Sequence, residues 1–128
     1  MPTLITNGVK ISVEARYDHE SSKPSLARFL HSYQVTIENL TGKKVKLLSR
    51  HWFIYSSSGE MREVKGDGVI GQQPLLEPFD IHQYESWCPL PSAMGKMSGT
   101  YTMLDIETEK TFIVEVPEFK LIADFVNN

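Results

Sequence analysis

Apolar and polar residues alternate along much of this chain with a period of two, which is the pattern of β-strands with one buried face. In segment 9–17, five residues from Val9 to Tyr17 alternate with Lys, Ser, Glu and Arg. Segments 33–37 and 112–116 show the same alternation. No segment keeps an apolar period of 3.6 over about ten residues, so the pattern predicts no long helix.

The complete pattern predicts about seven or eight short strands separated by polar turns. They cover segments 9–17, 33–37, 45–55, 61–64, 81–87, 99–106, 111–116 and 119–125. Short polar connections at 56–60 and 107–110 predict two hairpins. Prolines predict that one strand ends at Trp87 and that Pro117 separates the last two strands. Many short strands with regular turns are typical of an all-β sandwich or barrel.

The segment 45–55 is apolar on both of its alternating faces. A strand buried on both sides would produce this pattern, and so would a strand whose phase is shifted by a β-bulge. The sequence leaves both interpretations open. Trp52 in this segment is similar to the buried tryptophan of immunoglobulin-like sandwiches, although no cysteine pair accompanies it.

Length and composition predict one ordinary globular domain that covers residues 1–128. The chain is 41% hydrophobic and 23% charged, which excludes a disordered protein. Its 13 basic and 16 acidic residues are interspersed and give a net charge of −3. Nucleic-acid binding is therefore not expected, because such proteins usually carry clustered basic residues.

Cysteine, histidine and apolar content restrict the chemistry that we expect. Cys88 is the single cysteine, so no intramolecular disulfide forms and a reducing compartment is suitable. The four histidines lack metal-ligand spacing, and we predict no metal, no cofactor and no catalysis. Without a signal-peptide pattern or an apolar run of about 20 residues, we expect a cytoplasmic protein that does not insert into a membrane.

A glycine-rich stretch carries the spacing that most often indicates phosphate chemistry. Gly66, Gly68 and Gly71 form the pattern Gly-x-Gly-x-x-Gly. In dinucleotide-binding folds this pattern begins a helix whose N-terminus holds a pyrophosphate. Pro74 and Pro78 follow too closely for a useful helix to form here. The dinucleotide-binding interpretation is therefore excluded.

Two interpretations of this glycine loop remain. Backbone N–H groups between glycines sometimes form a nest that binds anions without a helix. The residues of such an anion or pyrophosphate site would be Arg50, Arg62, Lys65, Gly66, Asp67, Gly68 and Gly71. Alternatively, the glycines only permit positive φ or close backbone approach in a connection between strands.

The segment 87–97 is apolar and rich in proline, and we predict a loop there. An apolar loop either folds over the core or contacts a partner, and both alternatives stay open. The candidate partner-binding residues are Trp87, Pro89, Leu90 and Met94. An exposed sheet edge would also allow a homodimer, although nothing in the sequence requires one.

Five segments together resemble the bacterial ApaG family. They are 50–52 (Arg-His-Trp), 66–75 (from the glycine loop to Leu75), 84–86 (Tyr-Glu-Ser), 88–90 (Cys-Pro-Leu) and 95–103. The resemblance covers nearly the whole chain, with the most specific part between Arg50 and Met103. It departs from the family where Pro78-Phe79 replaces a frequent Pro-Gly, and where His82 replaces a frequent aromatic residue.

The resemblance implies a fold and a role. It implies an immunoglobulin-like or fibronectin-III-like antiparallel β-sandwich, and a non-enzymatic protein. Bacterial members have been linked to cobalt and magnesium efflux, and similar domains occur in F-box proteins and in a DNA-polymerase-interacting protein. We therefore expect an interaction module with an unidentified protein partner and an indirect role in cobalt and magnesium homeostasis. The alternative is a small-ligand binder that takes pyrophosphate or a nucleotide at the glycine loop.

Overall fold

A computed structural model describes residues 1–127, and the regular secondary structure of this range is β-strand apart from two short 3₁₀ turns. Its nine strands are β1 (Thr3–Thr6), β2 (Val9–Tyr17), β3 (Phe29–Asn39), β4 (Val45–Ser56), β5 (Met61–Asp67), β6 (Leu75–Leu76), β7 (Ile81–Leu90), β8 (Met94–Asp105) and β9 (Thr111–Ile122). Two short 3₁₀ turns cover Pro24–Leu26 and Asp124–Asn127.

The strands form two antiparallel sheets around one apolar core. The first sheet has the order β1-β2-β3-β7, and the second has the order β5-β4-β8-β9 with β6 also paired to β4. The inward residues of both sheets contribute to one cluster of buried side chains, including Val13, Val35, Leu47 and Met103. The prediction of an all-β antiparallel sandwich is confirmed. The finer likeness to immunoglobulin or fibronectin-III domains stays a prediction.

The apolar pattern of β4 results from a β-bulge. The register between β4 and β8 shifts between Leu47 and Ser49. Before the shift Leu47 is buried, and after it the buried residues are Trp52 and Ile54. An extra residue moves every later side chain to the opposite face. The second of the two interpretations left open by the sequence is therefore the one that the structure shows.

Trp52 occupies the centre of the core, as its position on a central strand predicted. Its side chain is 3% exposed. The ring packs edge-to-face against Tyr33, Tyr101 and Phe119, with centroid distances of 5.7, 6.1 and 6.0 Å. Such aromatic contacts stabilise the core beyond the simple burial of area. They also join β3, β4, β8 and β9 across the sandwich.

The predicted interruptions at Pro89 and Pro117 are wrong. Strand β7 continues through Pro89 to Leu90, and it pairs only with β3. Strand β9 continues through Pro117, where its register against β8 shifts near Ser98. Proline is tolerated in strands at a sheet edge or at a bulge, because no ladder donor is required there. Both strands are edge strands of their sheets.

Strand β1 was not predicted from the sequence, although the turn after it carries a signal. Asn7 and Gly8 both have positive φ, at 50° and 80°, and they connect the paired residues Thr6 and Val9. A two-residue Asn-Gly turn of this kind is a strong hairpin signal. The strand itself is not recognisable from an alternating pattern, because three of its four residues are exposed.

Phe79 adopts a left-handed backbone conformation just before β7. Its φ is 68°, and its side chain is 70% exposed. At this position the family that the chain resembles frequently has glycine. The left-handed region costs a residue with a Cβ roughly 1–2 kcal/mol, whereas glycine enters it freely.

Phe79→Gly should therefore be better tolerated than Phe79→Ala. We expect Phe79→Gly to have a free energy of unfolding about 1 kcal/mol above that of Phe79→Ala. Alanine is the matched control, because it removes the same exposed ring and keeps the strained conformation. Urea denaturation of both variants measures the difference. Equal stabilities would contradict the assignment of strain to this residue.

His31 makes the stability of the fold depend on pH. The side chain is 1% exposed, and its Nε2 atom has no hydrogen-bond partner among residues 1–127. Burial lowers the pKa of His31 from 6.5 to about 4, although the negative charge of Asp124 acts in the opposite direction. The folded state therefore keeps the imidazole neutral, while the unfolded chain binds a proton below pH 6.5.

The sign of this effect predicts a loss of stability in mild acid. As the pH falls from 6.5 towards 4, the wild-type chain should lose up to about 3 kcal/mol that a His31→Leu variant does not lose. Urea denaturation at several pH values measures both chains. The comparison removes the contribution of carboxylates, which the two chains share. Parallel pH profiles would show that His31 is not the group responsible.

Candidate functional site

The two long sides of the sandwich differ. On one side β9 packs against β1 and β2. On the other side the edge strands β5 and β7 face each other without pairing. Arg62 connects them, because its Nη2 atom donates a hydrogen bond of 2.7 Å to the carbonyl oxygen of Pro89. A cleft lies behind this contact.

We call this cleft the arginine cleft. It consists of two cavities of about 180 and 130 Å³ that share Tyr33, Arg50, Trp52 and Ser86. The larger cavity extends towards Arg62, Trp87, Cys88 and Pro89, with Ile54, Val64 and Met97 in its wall. The smaller cavity extends towards Val69, Ile70, Gly71 and Tyr84.

Arg50 lies across the glycine loop and is held by it. Its Nη1 atom donates hydrogen bonds of 3.0 Å to the carbonyl oxygens of both Asp67 and Gly68. Arg50 is paired with Gly66 in the ladder between β4 and β5. A Cβ atom at Gly66 would lie 2.9 Å from both Nη atoms of Arg50. Gly66 therefore provides the space in which the guanidinium group lies.

The other glycines of the loop shape its backbone. Gly68 has a φ of 64°, and a Cβ atom there would overlap the carbonyl oxygen of Gln72. Gly71 has a φ of 71° and open space around it. The loop thus needs each glycine for a different reason, namely room for Arg50, close backbone approach and a left-handed conformation.

Several N–H groups of the loop bind other parts of the chain. The N–H of Gly68 donates to the carbonyl oxygen of Leu48 at 2.8 Å, and Val69 and Gln72 bind each other's carbonyl oxygens at 2.8 and 3.1 Å. These three donors are unavailable to an anion unless their present bonds break. Anion binding by N–H groups of the loop stays a prediction, and the geometry favours the guanidinium groups as anion donors.

The charged lining of the arginine cleft is entirely cationic. Among residues 1–127, the side chains paired with carboxylates are those of Arg16, Lys43, Lys44, Lys96, His19 and His51, but neither Arg50 nor Arg62. Among the residues that the structure describes, neither cavity is lined by Asp or Glu. Within the same range, both guanidinium groups bind only neutral carbonyl oxygens and, for Arg62, the Cys88 sulfur. The cleft is therefore a positive site on an acidic chain.

Neutral polar groups complete the lining. Burial raises the pKa of Tyr33 and, more strongly, that of Tyr84, whose hydroxyl group is hydrogen-bonded to that of Tyr101. Burial also raises the pKa of the Cys88 thiol to about 11, against the opposing effect of Arg62. These hydroxyl and thiol groups are neutral near pH 7. They offer hydrogen bonds without cancelling the positive charge.

The structure brings together two sets of residues that the sequence treated separately. Arg50 and Arg62, from the predicted anion set, line the same cavity as Trp87 and Pro89, from the predicted partner set. Lys65 lies exposed on β5. Tyr33 and Ser86 were missed by the sequence analysis, because no local spacing connects them with the two arginines.

The predicted loop at 87–97 is wrong, because most of this segment belongs to β7 and β8, two strands that lie in different sheets. Only residues 91–93 lie outside the two strands. Leu90 is 3% exposed and belongs to the core, so it is not available to a partner. Met94 is exposed, but it lines a different cavity, with Tyr55 and Lys96. Trp87 is 53% exposed and is the most exposed large apolar residue of this segment.

Within residues 1–127, no group of three or more His, Cys, Asp or Glu side chains is placed to hold a metal ion. No helix in this range has the length and apolar character needed to cross a membrane.

The two left-handed glycines of the loop give a matched test of its geometry. Gly71→Ala should lower the free energy of unfolding by about 1–2 kcal/mol, the cost of a left-handed residue with a Cβ. Gly68→Ala should cost clearly more, because it adds a clash with the Gln72 carbonyl group to the same strain. Urea denaturation measures both values. Equal costs would contradict the close approach at Gly68.

Comparisons with known proteins agree with the sequence resemblance. The model of the ApaG domain family matches residues 19–105. Protein ApaG of Brucella canis is 40% identical over 121 residues, which cover 94% of this chain and 92% of that protein. Protein ApaG of Methylorubrum extorquens is 43% identical over 116 residues, which cover 91% of this chain and 88% of that protein.

Solved structures show the same fold. A crystal structure of an ApaA protein from Bordetella pertussis is 38% identical, covers 96% of both chains and superposes with a TM-score of 0.87. The C-terminal domain of wzt has a TM-score of 0.54 at 9% identity, over 94% of this chain and 76% of that one, which is a likeness of fold alone. From the matched domain model and the similarity over most of its length, the chain belongs to the ApaG family.

Proposed function

We propose that this protein is a non-enzymatic, cytoplasmic binding module that recognises a protein partner through the arginine cleft. The observation that carries the proposal is the pair of guanidinium groups of Arg50 and Arg62, which line the cleft without a carboxylate partner in residues 1–127. Guanidinium groups are suited to hydrogen-bond carboxylates and phosphates in a bidentate geometry.

The surroundings of the cleft favour a protein partner over a small molecule. Trp87 is 53% exposed beside the cleft. Trp and Arg are the residue types that most often dominate protein–protein binding energy. The cavities of about 180 and 130 Å³ are each smaller than typical small-molecule sites, which have roughly 300–1,000 Å³. They suit a single inserted side chain better than a nucleotide.

The rival function is the binding of pyrophosphate or a nucleotide at the glycine loop. The cationic lining favours it, since Arg50 contacts the loop directly. Calorimetric titration with pyrophosphate and with ATP, each with and without magnesium, tests this rival. Heat of binding at micromolar to low millimolar ligand would support it, and none at millimolar ligand would remove it.

We propose that the role in cobalt and magnesium homeostasis is exerted through the bound protein partner. The family resemblance implies a role in homeostasis of these cations, yet the cleft is lined by two guanidinium groups that repel a divalent cation. The role that we propose is therefore indirect, through binding to a protein of the transport or regulatory system.

The proposed function predicts that reversing the charge at Arg62 removes a specific partner. Arg62→Glu should reduce recovery of that partner at least tenfold in crosslinking pull-downs from the native host, because an acidic cleft repels an acidic ligand. Lys96→Glu is the matched control, since Lys96 is an exposed cation on β8, outside the cleft. Arg62 is preferred to Arg50 as the test position because Arg50 also supports the glycine loop.

Two results together would overturn the proposal. The first is a pull-down in which no captured protein depends on Arg62. The second is turnover of a phosphoanhydride such as ATP by the wild-type chain that is lost in Arg62→Glu.

A further inference from the structure

We propose that the arginine cleft binds an extended acidic segment of the partner, which pairs with the free edge of β7 and places a carboxylate against Arg62 and Arg50. This inference rests on the proposed function and names the chemistry of the partner.

Within residues 1–127, strand β7 pairs only with β3, so the backbone groups on its other edge have no ladder partner. This free edge lies on the cleft side of the first sheet. The carbonyl oxygen of Pro89 accepts its hydrogen bond from Arg62 of β5, so it points away from β3. In a strand, the N–H and C=O groups of one residue point to the same side, and the side alternates from residue to residue. Gln83, Glu85 and Trp87 therefore direct their N–H groups to the free edge.

The register of β3 supports this assignment independently. The carbonyl oxygen of Leu30 accepts a hydrogen bond from the N–H of Asp18, so Leu30 faces the β2 side. The next residue, His31, must then face β7, where it is opposite Cys88. The backbone N–H and C=O groups of Cys88 therefore point to β3. Those of Trp87 and the C=O group of Pro89, on either side of Cys88, point to the free edge. Pro89 has no N–H group, so its position on the free edge leaves no ladder donor missing.

The cleft also fits the side chains of an added strand. A strand beside β7 would extend the first sheet, so its alternate side chains would point to the same face as Tyr84 and Ser86. Those two residues line the cavities that contain Arg50 and Arg62. A Glu or Asp at an inward position would meet two guanidinium groups and no carboxylate. Backbone pairing would supply affinity, and this ion pair would supply specificity.

A second copy of this chain does not supply the missing charge. If β7 of another copy occupied the free edge, its inward residues would again include His82, Tyr84 and Ser86. Its single carboxylate, Glu85, alternates with them and lies on the outer face. An acidic segment of a different protein fits the cleft better.

The test uses short capped peptides and NMR spectroscopy of the full chain. The probe alternates Val and Glu, a second peptide carries Gln in place of Glu, and a third has the Glu peptide sequence with N-methyl groups at alternate amides. The N-methyl groups block strand pairing without changing the protein. We expect the Glu peptide to shift the amide signals of Gln83, Glu85 and Trp87, and to bind at least tenfold more tightly than either control peptide.

Variants of the protein supply the complementary arm. Arg62→Gln should weaken binding of the Glu peptide at least tenfold, while Lys96→Gln should leave it unchanged. The signals shifted by inorganic pyrophosphate in a parallel titration should not include the free edge of β7. Sedimentation of the chain alone tests whether the β7 edge pairs with a second copy. We expect no self-association that is lost in the Glu85→Pro variant, because proline at this position blocks pairing along the edge.

The outcomes separate this inference from the proposed function. Equal binding of the N-methylated and unmodified peptides, or equal binding of the Glu and Gln peptides, would overturn the inference. So would self-association through β7 that excludes the peptide. If the peptide arm fails while a captured protein still depends on Arg62, the binding module stands and the mode of recognition inferred here is wrong. If that dependence on Arg62 is also absent, both fail.

Discussion

The hydrogen bonds between the Arg50 guanidinium group and the carbonyl oxygens of Asp67 and Gly68 are the interaction on which the proposed site depends. They fix a cation at the junction of β4, β5 and the glycine loop, next to the aromatic core around Trp52. They require glycine at position 66, because a Cβ there would meet the guanidinium nitrogens. The loop therefore positions a charged side chain, while anion binding by its own N–H groups stays a prediction.

The β-bulge in β4 connects the fold to this site. By changing the phase of the strand between Leu47 and Ser49, it places Trp52 in the core after Val45 and Leu47 have occupied the same face. Arg50 is inward by the same parity, close to the open side of the sandwich, where β5 and β7 do not pair. One extra residue thus gives the strand both a core anchor and a half-buried cation.

The sequence predicted the parts of the fold that depend on alternation and missed those that depend on tertiary position. Strand β2 was predicted with its observed bounds, because its burial follows period two. The continuation of β7 through Pro89 was not predicted, because tolerance of proline depends on which strand lies at an edge. For the site, Arg50 and Arg62 were identified near the glycine loop. Their association with Tyr33, Ser86 and Trp87 was not, since it arises from contacts between the two sheets.

The most direct test of this account observes the Arg50 guanidinium group itself by nitrogen-detected NMR. Held by two carbonyl oxygens, the group should rotate slowly and show resolved, exchange-protected Nη protons in the wild-type chain. Gly66→Ala should abolish this protection, while the exposed Arg16 should show averaged signals in both proteins. Averaged signals from Arg50 in the wild-type chain, indistinguishable from those of Arg16, would contradict the claim that the glycine loop holds this cation in place.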